Sequence, residues 1–352
     1  MVKNILGKND YIDFLRGKKA TFMLALSNTQ TANIKDITQA GIPGKIYLTP
    51  TLDSEFVCTG EVRSLEDIAQ TPKGVPTPAL ITRAVHLLNP FSNIELLNLG
   101  LELKPNIDYF KIHDFGIKPS KSIATNANID SQFVFQAAVE FGQNYTTNDE
   151  YIILGESVPS GTTTALATAL ALGYDAQDKF SSSFKNNPKD IKQQTVNQAL
   201  ANIKDDDDIF EILSKVSDNM LIFTAGFILG LNNSKKLILA GGTQMACALL
   251  VVNSILKTMG GEIETSNLSL ITTKWVYEDK NSDIKALLEM LDFNINAYYS
   301  DFDFTTTYHP ALKLYDEGEA KEGVGAGGCL AYAIINGIKK EAIVNKIESF
   351  LI

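Results

Sequence analysis

The chain has 352 residues, 45% of them hydrophobic, which is enough to bury the core of one large α/β domain or of two smaller ones. A formal charge of -10 and a pI near 4.9 set it against nucleic acid and anionic membranes, although a small anion could still bind in a locally positive loop. Cys58, Cys247 and Cys329 lie far apart with no Cys-x-x-Cys spacing, so they form neither a disulfide framework nor a zinc site and read as small buried residues in a reducing cytosol.

The amino terminus, MVKNILGKNDY, lacks the apolar region of a signal peptide, and no run of about 18 apolar residues occurs, which points to a soluble cytoplasmic protein. Apolar runs at 20–27 and 45–50 are expected strands, and ALITRAVHLL (79–88) is an expected helix. A strand at 93–100 and a helix at 131–142 follow, then a strand at 151–156 and a helix at 163–173 closed by Gly173. The run Asp205 to Asp208 precedes helical spacing over 208–220 and complements the positive end of that helix rather than forming a metal cluster. A strand at 236–242, a helix at 244–260 and a strand at 268–276 complete the pattern. Strands alternating with helices, several of them continuously apolar, predict a three-layer α/β fold with a mostly parallel sheet and helices on both faces.

Three loops carry chemistry. In LGESVPSGTTTALATALALG a buried strand ends at Gly155-Glu156, turns through Ser160-Gly161, and opens a helix with Thr162, Thr163 and Thr164. Unpaired N–H groups at a helix start favour a phosphate. The triphosphate loop pattern fails, because five residues separate Gly155 from Gly161 and no lysine follows, so a monophosphate fits better. The plainer alternative is a tight turn at Gly161 and a cap at Thr162. LILAGGTQMACALL repeats the strand-to-helix crevice at Gly241 and Gly242, and open α/β sheets bind ligands at the carboxyl ends of their strands. In KEGVGAGG the carboxylate of Glu322 stands among glycines, where burial beside peptide groups raises its pKa toward that of a general base; the alternative is an ordinary surface acid. His86, His113 and His309 share no ligand spacing, and Arg83, Lys121, Trp275, Asp301 and Asp303 read as structural on spacing alone.

In this order the three loops resemble those of the nicotinate-nucleotide–dimethylbenzimidazole phosphoribosyltransferases, in particular the divergent branch found in archaea and cyanobacteria. That family reads G-E-x-G-x-G-N-T-T, G-G-x-E-x-A and G-E-G-x-G-A. Gly155, Glu156, Gly161, Thr163 and Thr164 match the first; Gly241, Gly242 and Ala246 match the second; Glu322, Gly323, Gly325 and Ala326 match the third. The matches lie within 151–335, and the segment 275–284 also resembles the divergent branch. Thr162 replaces an asparagine, Gln244 a glutamate and Lys321 a glycine; the first loop is one residue longer, and the segment P-P-G-S-L-G of the acceptor pocket is absent. The resemblance implies transfer of 5-phosphoribose from nicotinate mononucleotide to a ring nitrogen of a dimethylbenzimidazole-like base, for cobalamin lower-ligand assembly. It implies catalytic roles for Glu322 and Glu156. Gly161, Thr162, Thr163, Thr164, Gly241, Gly242, Gly323 and Gly325 would hold phosphate and ribose, with no metal or cofactor. It further implies a homodimer, a large domain over 20–304, and a smaller, mostly helical part built from 1–19 and 305–352. A transferase for another base, a nucleoside-phosphate hydrolase and a non-catalytic nucleotide binder are the alternatives.

Overall fold

The computed structural model describes residues 1–8 and 10–351. Its eight strands are β1 (Val2–Leu6), β2 (Ala20–Leu26), β3 (Asn93–Asn98), β4 (Lys111–Asp114), β5 (Tyr151–Ser157), β6 (Lys236–Ala240), β7 (Leu268–Thr273) and β8 (Asn296–Ser300). They form one sheet in the order β1-β8-β7-β6-β5-β2-β3-β4, parallel throughout except for β1, which pairs antiparallel with β8 at the edge.

Each central strand feeds two cores, because alternate side chains point to opposite faces. In β2, Met23 and Ala25 join one core while Phe22, Leu24 and Leu26 join the other. The first core is covered by helices Ser131–Asn144, Gly161–Ala171, Asn219–Leu231 and Thr243–Met259. Helices Ala79–Leu88, Ala326–Ile335 and Lys340–Glu348 cover the second. This is the three-layer α/β arrangement the alternation predicts. From β2 the chain builds outward through β3 and β4, then returns to place β5 on the other side of β2. The reversal opens a crevice at the carboxyl ends of β2 and β5, where such sheets bind ligands.

Several elements differ from expectation. The segment 45–50 is not a strand: Ile46–Leu48 is a short 3-10 turn running into helix Thr49–Thr59, with Pro50 in its first turn, where a missing N–H costs nothing. The pattern over 208–220 is two helices, Ile209–Val216 and Asn219–Leu231. Asp218 breaks it by accepting from Leu221 N at 3.0 Å as a cap. The strand expected to reach 276 stops at Thr273, whose side chain caps a short helix at Lys274–Tyr277. The acid run does serve the helix after it: Asp208 forms a capping box with Glu211, and Asp207 pairs with Lys215 at 2.5 Å. All three cysteines are free and buried.

The two chain ends meet on the second face. Arg16 Nη1 donates to Ile335 O at 3.1 Å, and Gly17 N donates to Asn336 Oδ1 at 2.8 Å. No helix among the described residues is long and apolar enough to cross a membrane.

Candidate active site

The three glycine turns converge. A side-chain carbon at Gly155, in β5, would stand 2.8 Å from Gly325 N, so the first and third turns touch backbone to backbone. Val324 N reinforces that contact by donating to Glu156 O at 2.7 Å. A Cβ at Gly161 would collide with the Gln244 amide of the second turn, and one at Gly242 would lie 3.6 Å from Glu322 Cβ. Gly325 holds a left-handed φ of 74°, which lets the chain enter helix Ala326–Ile335 directly after the contact.

Glu322 is half-buried and lines the cleft. Its Oε2 accepts from Thr273 N at 2.9 Å and Thr272 Oγ1 at 3.2 Å; its Oε1 accepts from Gly327 N at 3.1 Å and Gly323 N at 3.2 Å. Burial pushes its pKa up to about 7 against the pull of those donors. Glu156 is 3% exposed, and its pKa is pushed to about 8 by burial first and then by the charges of Glu322 and Asp218. These are two carboxyls whose proton affinity sits near neutrality, side by side, as acid–base chemistry requires.

One end of the cleft suits an anion. Ser160 takes a left-handed φ of 64° immediately before helix Gly161–Ala171, and its buried Oγ has no hydrogen-bond partner. Ser181, Ser182 and Ser183 line the same cleft, backed by two buried ammonium groups. Lys321 Nζ donates to Phe184 O at 2.7 Å and Ser182 O at 3.3 Å, and pairs with Asp279 at 3.1 Å. Lys192 Nζ donates to Ser181 O at 2.9 Å; burial, and then the charge of Lys321, lowers its pKa to about 7.

Of the site residues named from the sequence, Glu156, Gly161, Thr162, Gly242, Glu322 and Gly323 line the cleft. Thr163 and Thr164 are buried beneath it; the Thr164 hydroxyl bonds to Gly161 O and to Asp218. Gly241 faces Met245, and Gly325 packs under the first turn. The residues read as structural lie elsewhere. Arg83 binds the carbonyls of Val57 and Cys58, His113 bonds to Glu95 at 2.7 Å, and Trp275 stacks on Phe304 while donating to Asp316 at 2.9 Å. Asp301 pairs with Lys3 and Lys274, and Asp303 with Lys340.

Sequence reasoning missed Asp53, Lys192 and the serines at 181–183. The triplet Ser181-Ser182-Ser183 was the one visible signal. Asp53 and Lys192 sit within helices; Asp53 lines the cleft, and Lys192 stays behind it, bonded to Ser181 O, both only through the fold.

The fold is shared with two crystal structures from Thermus thermophilus. One is a nicotinate-nucleotide-dimethylbenzimidazole phosphoribosyltransferase (TM-score 0.60, 14% identity, 97% of this chain and 92% of that one). The other is CobT (TM-score 0.59, 15% identity, 94% and 84%). In sequence, the chain is 36% identical over 338 residues to a UPF0284 protein of Saccharolobus solfataricus, covering 95% of this chain and 93% of that protein. A UPF0284 protein of Saccharolobus islandicus is 35% identical over 352 residues, covering 99% and 96%, and one of Sulfurisphaera tokodaii is 34% identical over 343, covering 97% and 95%. No protein-family model matches the chain.

Proposed function

The chain belongs to the UPF0284 family, and we propose that it is a phosphoribosyltransferase taking its ribosyl phosphate from nicotinate mononucleotide. The observation that carries this reading is Glu322, held where three glycine turns meet, with Glu156 behind it and an anion-binding end in the same cleft. The shared fold of the Thermus thermophilus enzyme supports it.

The 5′-phosphate lies against Ser160, Gly161 and Thr162, facing Ser181 to Ser183, where Lys192 and Lys321 supply positive charge from behind. A ring nitrogen of the acceptor attacks the anomeric carbon. The carbon–nitrogen bond to nicotinate breaks with its electron pair, which returns to the ring and cancels the pyridinium charge. The acceptor's N–H proton passes to Glu322. The Thr272 hydroxyl is the one Glu322 donor free to rotate, so it yields Oε2 to that proton. The Glu322 carboxylate stabilises the oxocarbenium-like transition state, with Glu156 behind it still holding its proton near neutral pH. Service in cobalamin lower-ligand assembly and a homodimer belong to the same proposal and rest on the resemblance, and a cytoplasmic setting, read from the sequence, belongs to it as well.

Thermal melting with ligand tests the donor half. Nicotinate mononucleotide at millimolar concentration raises the melting temperature by several degrees, whereas nicotinate or ribose alone leaves it in place. No shift with the mononucleotide would count against the reading.

A further inference from the structure

The ribosyl-transfer reading leaves the acceptor unnamed, and the cleft wall available to it comes from segments that no motif marks: the start of helix Thr49–Thr59 and residues 69–78. Among the described residues no aromatic ring lines the cleft; the apolar part of this wall is Ala69, Val75, Pro76 and Pro78. A planar base therefore finds no ring to stack on, and recognition falls to hydrogen bonds at its edge.

Asp53 provides that edge. It is 2% exposed and fixed from both sides: Thr77 Oγ1 donates to its Oδ1 at 2.6 Å, and Ser157 Oγ donates to its Oδ2 at 2.6 Å. Each carboxylate oxygen thus takes one donor here and keeps a second acceptor position. Ser157 directly follows Glu156, and Pro78 lies against Gly323, so this wall adjoins the catalytic acids. Thr71 Oγ1 accepts from Val75 N at 3.2 Å, which leaves its proton to donate.

We propose that Asp53 reads the acceptor, and that the acceptor is a nitrogen heterocycle carrying an amino N–H donor, as an aminopurine does, rather than a base with an all-carbon outer edge. The inference rests on the ribosyl-transfer reading. The amino group donates to Asp53, a ring nitrogen accepts from Thr71, and another ring nitrogen faces the anomeric carbon. A base without the amino group leaves the remaining acceptor positions of this buried carboxylate shut off from water and unfilled, a mismatch that polar binding sites discriminate against.

The test is calorimetric binding of adenine, unsubstituted purine and dimethylbenzimidazole to the wild-type chain and to Asp53→Asn, paired with mass spectrometry of the products formed with nicotinate mononucleotide. Adenine is expected to bind at least tenfold more tightly than the other two, and Asp53→Asn to erase the difference. The wild-type series decides even if the variant folds poorly: equal affinities, or tightest binding of dimethylbenzimidazole, overturn the proposal. Transfer without the adenine preference removes this inference alone. Preference without transfer supports the subsite and removes the ribosyl-transfer reading, and failure of both binding and transfer removes both.

Discussion

Glu322 performs two tasks. It accepts from Gly327 N in the first turn of helix Ala326–Ile335 and from Thr273 N ahead of helix Lys274–Tyr277, so it caps two helices as well as standing in the cleft. Glu322→Gln keeps one acceptor oxygen and should fold with a stability loss of about 1 kcal/mol, read by chemical denaturation. Its neighbour Glu156 sets the pH response. Burial, then the charges of Glu322 and Asp218, raise its pKa from 4.5 to about 8, so the folded chain holds a proton that the unfolded chain has released across that window. The associated stability is complete below pH 4.5, declines as pH rises, and is gone above about 8. Lys192, lowered to about 7, and His86, lowered to about 4, act in the opposite sense, so the Glu156 contribution is read as a difference between variant and wild type, in which theirs cancel. Glu156→Gln removes the titration, and its melting temperature relative to wild type should climb from pH 5 to pH 7; a constant difference would contradict the assignment. The acid at 322 was readable because glycines surround it. Asp53 was not, because nothing near it in sequence distinguishes it from a helix-surface acid, and its burial depends on Thr77 and Ser157, 24 and 104 residues away.

The elements that deliver these residues depend on close backbone approach. Gly155→Ala forces a carbon to within 2.8 Å of Gly325 N, with backbone rather than a flexible side chain in the way. Overpacking of this kind costs about 1–3 kcal/mol, and here it also pushes the first turn from the third. The expected outcome is a lower melting point together with a rise in the KM for nicotinate mononucleotide; Gly173→Ala, which has open space around it, should leave that KM alone. The strands β2, β3, β5, β6 and β7 were legible because each is buried over nearly its whole length and carries an apolar run. β1 and β4, partly exposed and polar at the sheet edges, gave no such signal, and neither did β8, which is polar at both ends, Asn296 and Ser300. Asp218 was the other blind spot. Hydrophobic spacing runs through it, and only its role as a cap shows that one apparent helix is two.

At the scale of the molecule, a chain of net charge -10 makes part of its cleft suited to an anion by burying two lysines behind a serine run, while Asp53, Glu156 and Glu322 line the same cleft. The reversal of strand order between β2 and β5 makes this possible, because it opens the sheet where the turn after β5 meets those from β6 and from 321–325. That three glycine turns belong to one cleft was inferable from their common strand-to-helix setting. That 49–53, 69–78 and 181–183 complete it was not, since they arrive from separate parts of the chain by tertiary folding alone. The most direct test is turnover of nicotinate mononucleotide with a nitrogen base, following ribotide formation by mass spectrometry in the wild-type chain and in Glu322→Gln. A new base ribotide phosphate should form, with the variant slower by a factor on the order of 10²–10⁴, the usual share of a general base. Equal rates in the two proteins, or no ribotide from any base, would contradict the account.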